Sequence, residues 1–178
     1  MSTVSRLGRQ IAEVIAALDR RGVRFALIGG LALAPHKVIR GTQDVDLLTA
    51  ASSSDDIDAE LRQLGYVCLH RSADAGNYTR GDERVDFLYA SRPTALQLLS
   101  DATEHQTPFG DLRVVSAEGL IALKLQALVN NPRRTQDLED IRALIRANRT
   151  TLDFDAVREY FRLFDREALL AEILRDET

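Results

Sequence analysis

Two aspartates one residue apart, Asp44 and Asp46, stand in the apolar segment DVDLL within FALIGGLALAPHKVIRGTQDVDLLT, residues 25–49. In an extended segment, residues i and i+2 point to the same face, so a strand here presents both carboxylates side by side. Such a pair repels itself on a half-buried sheet unless a cation neutralises it, and an all-carboxylate oxygen site suits Mg²⁺ or Mn²⁺. The plainer reading is that one aspartate faces solvent at a strand end while the other caps a turn. The motif alone leaves both open.

The surrounding pattern sets the fold class. Leu7, Ile11, Val14, Ile15 and Leu18 recur at helical spacing over residues 4–20, and Arg20-Arg21-Gly22 supplies the cations and glycine of a helix end. A short buried strand is expected over 23–28, then Gly29-Gly30 opening a short helix over 31–36, a strand over 44–49 and a helix over 53–64. Strands are predicted over 66–70, 77–80 and 84–89, the latter two joined by the hairpin turn Gly81-Asp82, then a helix over 93–100 and a last strand over 112–115. From Ser116 the period is helical throughout: 116–130, 135–147, 153–163 and 165–175. The class is therefore α/β, or α+β: a mixed sheet flanked by helices in residues 1–115, and an all-helical C-terminal third, 116–178, forming one compact unit with it. Phe154, Tyr160, Phe161 and Phe164 read as core of a terminal helix pair.

Other residues gather around the paired aspartates. Asp86 sits in the β-prone run RVDFL, and a strand pairing beside 44–49 brings a third carboxylate to the same face. Upstream, Gly29 and Gly30 let backbone amides approach a ligand with no Cβ in the way, an arrangement suited to phosphate, although strand-Gly-Gly-helix is also ordinary turn chemistry. Arg40 and Thr42 precede the aspartates on the same loop and are candidate phosphate contacts; a solvated loop cation is the plain reading of Arg40. Lys124 lies between Leu123 and Leu125 in an apolar helix and needs an anionic partner or a route to solvent. Asp137 and Asp140, three apart on one helix face, are candidate partners for it.

Composition excludes several classes. The 178 residues are 45% hydrophobic and 28% charged, enough for a buried core. The single Cys68 rules out an internal disulfide framework and a multi-cysteine zinc site, and it reads as a core residue. His36, His70 and His105 have no metal-ligand spacing. A net charge of -4 argues against a generally basic nucleic-acid coat, though Arg133, Arg134, Arg142, Arg146 and Arg149 crowd one region. No signal peptide or membrane span is expected, and a cytoplasmic location is.

Taken together, Ile28-Gly29-Gly30, Asp44-Val45-Asp46 and Asp86 resemble the nucleotidyltransferase superfamily with the polymerase-β-like minimal fold. Within it, IRGTQDVDLL is similar to small bacterial members, and LIALKLQAL followed by RRTQDLEDI resembles the Lys and Lys-Asp motifs of AbiEii-like toxins. The resemblance spans about residues 23–145. One position departs: Gln136 precedes Asp137 where the subgroup commonly has lysine. The resemblance implies transfer of NMP from an NTP, such as ATP, to a hydroxyl on RNA, a protein or a small molecule, with Mg²⁺ or Mn²⁺. It implies Asp44, Asp46 and Asp86 as catalytic metal ligands, with Gly29, Gly30, Arg40, Thr42 and Lys124 contacting the nucleotide. It also implies an antitoxin protein as partner. The alternative is a catalytically silent member that binds a nucleotide or a protein partner.

Overall fold

The computed structural model describes residues 5–176. The chain divides into two compact units, Arg40–Val115 with the residues up to Pro35, and His36–Ile39 with the residues from Ser116 onward.

In the first unit, α1 (Arg6–Arg20) begins where the Ser5 hydroxyl accepts from the Gly8 amide at 3.0 Å, and it buries Ile11, Val14 and Leu18. Then come β1 (Phe25–Ile28), a six-residue 3₁₀ segment (Leu31–His36), β2 (Val45–Ala50) and α2 (Ser54–Gln63). β3 (Val67–Arg71), β4 (Ala75–Arg80), β5 (Glu83–Ala90), α3 (Pro93–Asp101), β6 (Thr103–Thr107) and β7 (Gly110–Val114) complete it. Among the described residues these strands form one seven-stranded mixed sheet, ordered β3-β4-β5-β2-β1-β7-β6. β2 and β5 run parallel at its centre; β1 and β4 flank them antiparallel.

Alternation along the central strands sorts the two faces. Val45, Leu47, Val85, Phe87 and Tyr78 are buried together, and the Tyr78 hydroxyl donates to Asp58 of α2 at 3.1 Å, so α2 covers this face. Asp46, Asp86 and Asn77 occupy the alternate positions and point the opposite way. The phenol of Tyr66 is pushed up to about 12 and that of Tyr78 higher still, chiefly because burial disfavours the charged form.

The second unit contains α4 (Ala117–Asn130), α5 (Thr135–Ala147), α6 (Phe154–Leu163) and α7 (Glu167–Asp176). Ser116 caps α4 by accepting from Gly119, and Asp153 caps α6 by accepting from Asp155 and Ala156. Val157 and Phe161 are fully buried one turn apart on α6, whereas Phe154, Tyr160 and Phe164 are half-buried.

Element type follows the sequence pattern closely, with three differences. The glycine pair opens a 3₁₀ segment, and Pro35 inside it lacks the N–H an α-helix would use. The polar strand β6, TEHQT, has no apolar alternation to announce it; it forms by pairing with β7. Cys68 is half-buried, because β3 lies at the sheet edge.

Candidate active site

The three aspartates all belong to the first unit. Asp44 is exposed and immediately precedes β2; Asp46 and Asp86 are half-buried within β2 and β5. The parallel pairing sets Asp46 directly opposite Asp86. Neighbouring strands lie about 4.8 Å apart, so the two carboxylates rise from adjacent backbones on one face. Like charges placed opposite one another in this way are destabilising without compensation. The same row continues outward: Asp86 is opposite Asn77 on β4, and Asn77 is opposite His70 on β3. The Asn77 side-chain amide donates to Asp86 Oδ1 at 2.8 Å. Among the described residues, no group of three or more His, Cys, Asp or Glu side chains stands in metal-holding geometry. The donor chemistry of three carboxylates nevertheless fits Mg²⁺ or Mn²⁺, and the register already brings two of them alongside.

The glycines shape this face from β1. Ile28 is paired with Asp46, so Gly29 arrives beside the Asp46 side chain in a left-handed conformation, φ 67°. A Cβ on Gly30 would stand 2.9 Å from Thr42 Cγ2. Thr42 in turn accepts a hydrogen bond from the Asp44 amide at 3.3 Å, which ties the loop to the first aspartate. Arg40 is exposed on the same loop.

Lys124 lies in the second unit. Its ammonium is buried between α4 and α5, donating to Asp140 Oδ2 at 2.6 Å and Asp137 Oδ1 at 3.2 Å. Arg134 Nε reaches Asp137 Oδ2 at 2.5 Å, and the Gln136 amide donates to Asp140 Oδ1 at 3.0 Å. Two cations thus face two buried carboxylates, and Gln136 adds a neutral donor where the related motif carries lysine.

Asn77 and His70 complete a row that motif reading did not assemble. The signal for Asn77 was available: counting outward from the Gly81-Asp82 turn pairs 80 with 83 and 77 with 86. His70 follows from no such count, because the β3–β4 register shifts between Cys68 and His70.

Comparison with known proteins agrees with this architecture. The chain resembles the solution structure of the antibiotic-resistance factor ANT(2'')-Ia, with a TM-score of 0.68 and 18% identity over 99% of this chain and 100% of that one. It also resembles the lincomycin-bound lincosamide antibiotic adenylyltransferase LnuA, with a TM-score of 0.56 and 13% identity over 80% of this chain and 98% of that one. A putative nucleotidyltransferase from Thermotoga maritima aligns with a TM-score of 0.50 and 15% identity, over 77% of this chain and 91% of that one. Identities this low establish the fold. Among curated proteins none matches the chain. The sequence model of the family described as "Nucleotidyl transferase AbiEii toxin, Type IV TA system" matches residues 62–178. That span includes Asp86, Asn77 and the Lys124 cluster and begins after Asp46. Fold and family match together make the chain a nucleotidyltransferase, a member of the AbiEii nucleotidyl transferase toxin family.

Proposed function

We propose that the protein moves an NMP from an NTP to a hydroxyl acceptor in a metal-dependent reaction, as the toxin of a toxin–antitoxin pair. The observation that carries this reading is the pairing of Asp46 with Asp86 on adjacent parallel strands, with Asp44 two residues upstream. In this reading Asp44, Asp46 and Asp86 hold Mg²⁺ or Mn²⁺, which when bound neutralises triphosphate charge and that of the leaving pyrophosphate. Asp86 accepts the proton of the attacking hydroxyl. Gly29 and Gly30 keep the β1 end low enough for phosphate oxygens to approach the backbone, and Arg40 and Thr42 contact the nucleotide from the loop. Lys124 serves the nucleotide only where one of its two carboxylate partners gives way; otherwise it joins α4 to α5.

The acceptor is an RNA end, a protein or a small molecule. Of the structural relatives, ANT(2'')-Ia is described with adenylyl-2''-tobramycin and LnuA with lincomycin, which favours testing small hydroxyl compounds first. Family membership supports an antitoxin protein as partner. No helix among the described residues is long and apolar enough to cross a membrane. A cytoplasmic setting belongs to this reading, since NTP donors are supplied there.

A second reading, a silent member that binds a nucleotide or protein partner, is favoured by the lack of a three-carboxylate metal-holding cluster among the described residues. One experiment separates the two. Each α-labelled NTP is incubated with Mg²⁺ or Mn²⁺ and with total RNA, total protein or a metabolite extract, using the wild type and Asp44→Asn/Asp46→Asn. Label transferred by the wild type and lost in the double variant is expected. NTP binding without transfer from either protein would establish the silent reading.

A further inference from the structure

We propose that Asn77 is a positioning residue that orients the Asp86 carboxylate for the transfer reaction; this rests on Asp86 acting as described above. Three observations meet at Asn77. It is the register partner of Asp86, which is itself the partner of Asp46, so the three side chains form one row across β4, β5 and β2. Its amide Nδ2 donates to Asp86 Oδ1 at 2.8 Å, within the range of a charge-assisted hydrogen bond. Asparagine is also poorly suited to a strand interior, where β-branched and aromatic residues are preferred, so strand formation does not account for its presence.

The physical need is specific. Asp86 stands beside Asp46, with Asp44 close upstream, so a charged neighbour of either sign on β4 would alter the balance of the group. A negative one would add repulsion, and a positive one would compete for the carboxylate oxygens. The asparagine amide is neutral at every relevant pH and offers a donor to a single oxygen. With Oδ1 held, rotation of the carboxylate about its terminal bond is restrained, and Oδ2 is the oxygen that Asn77 leaves to the metal and the attacking hydroxyl. Orientation of a reacting group by such a fixed partner changes turnover more than nucleotide binding.

The test uses the full-length protein and the labelled-NTP transfer assay with the acceptor pool that the wild type labels. Asn77→Leu is expected to lower kcat by about tenfold to a hundredfold, with KM for the NTP within about twofold. Asn77→Asp, which replaces the donor with a like charge, is expected to lose at least as much. Asn77→Gln, which keeps an amide, is expected to recover part of kcat. A second readout needs no turnover: the Asn77 side-chain amide protons, followed by ¹⁵N NMR, should exchange slowly in the wild type and quickly in Asp86→Ala. Should Asn77→Leu misfold, this amide comparison and Asn77→Gln still decide.

If Asp86→Asn is inactive while Asn77→Leu keeps wild-type kcat, or if the amide exchanges equally fast with and without Asp86, the proposal for Asn77 is overturned and the role of Asp86 stands. If Asp86→Asn itself transfers label normally, the reading of Asp86 fails first. A wild type that labels nothing from any NTP overturns both.

Discussion

The Asp46 carboxylate fills the space that a side chain on Gly29 would take. A β-carbon built on Gly29 would stand 2.6 Å from Asp46 Cγ, and Gly29 already holds a left-handed backbone at φ 67°. The first glycine of the pair is therefore matched to the second aspartate, across the antiparallel β1–β2 pairing. Its identity is demanded twice, once by conformation and once by volume.

Gly29→Ala is accordingly expected to cost more than backbone strain alone. The left-handed conformation costs an L-residue about 1–2 kcal/mol, and the methyl group must also displace Asp46. Gly22 provides the control, because it has φ 65° with nothing within 4 Å of an added Cβ. Urea unfolding should show a loss of about 1 kcal/mol for Gly22→Ala with transfer activity retained. Gly29→Ala should lose more stability and most activity; equal losses in the two variants would show that the contact with Asp46 is unimportant.

Lys124→Met should be severely destabilising. It removes the ammonium that the buried carboxylates of Asp137 and Asp140 share. Removing one partner of a buried ion pair costs about 3–5 kcal/mol. Further replacement of both carboxylates, Asp137→Asn and Asp140→Asn, should recover part of that loss in denaturant midpoints. A loss confined to the range of an exposed ion pair would mean that the cluster is solvated.

Acid should weaken the first unit through Glu60 and Asp58. Arg21, bonded to Glu60 at 2.7 Å, and Arg20 hold the Glu60 carboxyl below its ordinary range, and Arg62 with Tyr78 does the same for Asp58. A carboxyl depressed in the folded state stabilises fully above its unfolded value of about 4, and that contribution disappears as pH falls through the folded value. Urea midpoints measured at descending pH should therefore fall in the acid range. Glu60→Gln should be less stable than the wild type at neutral pH, with a shallower acid slope; parallel curves would remove Glu60 from this account.

Arg80→Lys should not be a conservative change. Arg80 Nε bonds Glu83 at 2.8 Å, Nη1 bonds the Leu64 carbonyl at 2.8 Å, Nη2 bonds Glu13 at 2.7 Å, and its guanidinium stacks 4.6 Å from the Tyr66 ring centre. An ammonium cannot reproduce that planar fork. We expect a loss of about 1–2 kcal/mol in denaturant unfolding, with transfer activity at saturating NTP unchanged.

Several elements and part of the site are legible in the sequence alone. The apolar periodicity of α1 and α4 to α7, the strand pattern of β2 and β5, and the Gly81-Asp82 turn each express a local preference that tertiary contacts reinforced. Even the opposition of Asn77 and Asp86 follows from counting away from that turn, since a two-residue hairpin fixes its register. Strand β6 was hidden because its residues are polar and its structure depends on hydrogen bonds to β7.

By itself, the sequence determined the element types, the division between a sheet-bearing part and a helical third, and the nearness of a carboxylate pair to a glycine pair along the chain. Those properties depend on neighbours along the chain, through periodicity, turn chemistry and the alternation of a strand. Only the tertiary structure decided that Asp46 stands opposite Asp86, that the Asp46 carboxylate needs the missing side chain of Gly29, and that the Lys124 ammonium lies between Asp137 and Asp140. Parallel strands separated by a long crossover have no turn to set their register, and buried charges choose partners by packing; both are settled in space.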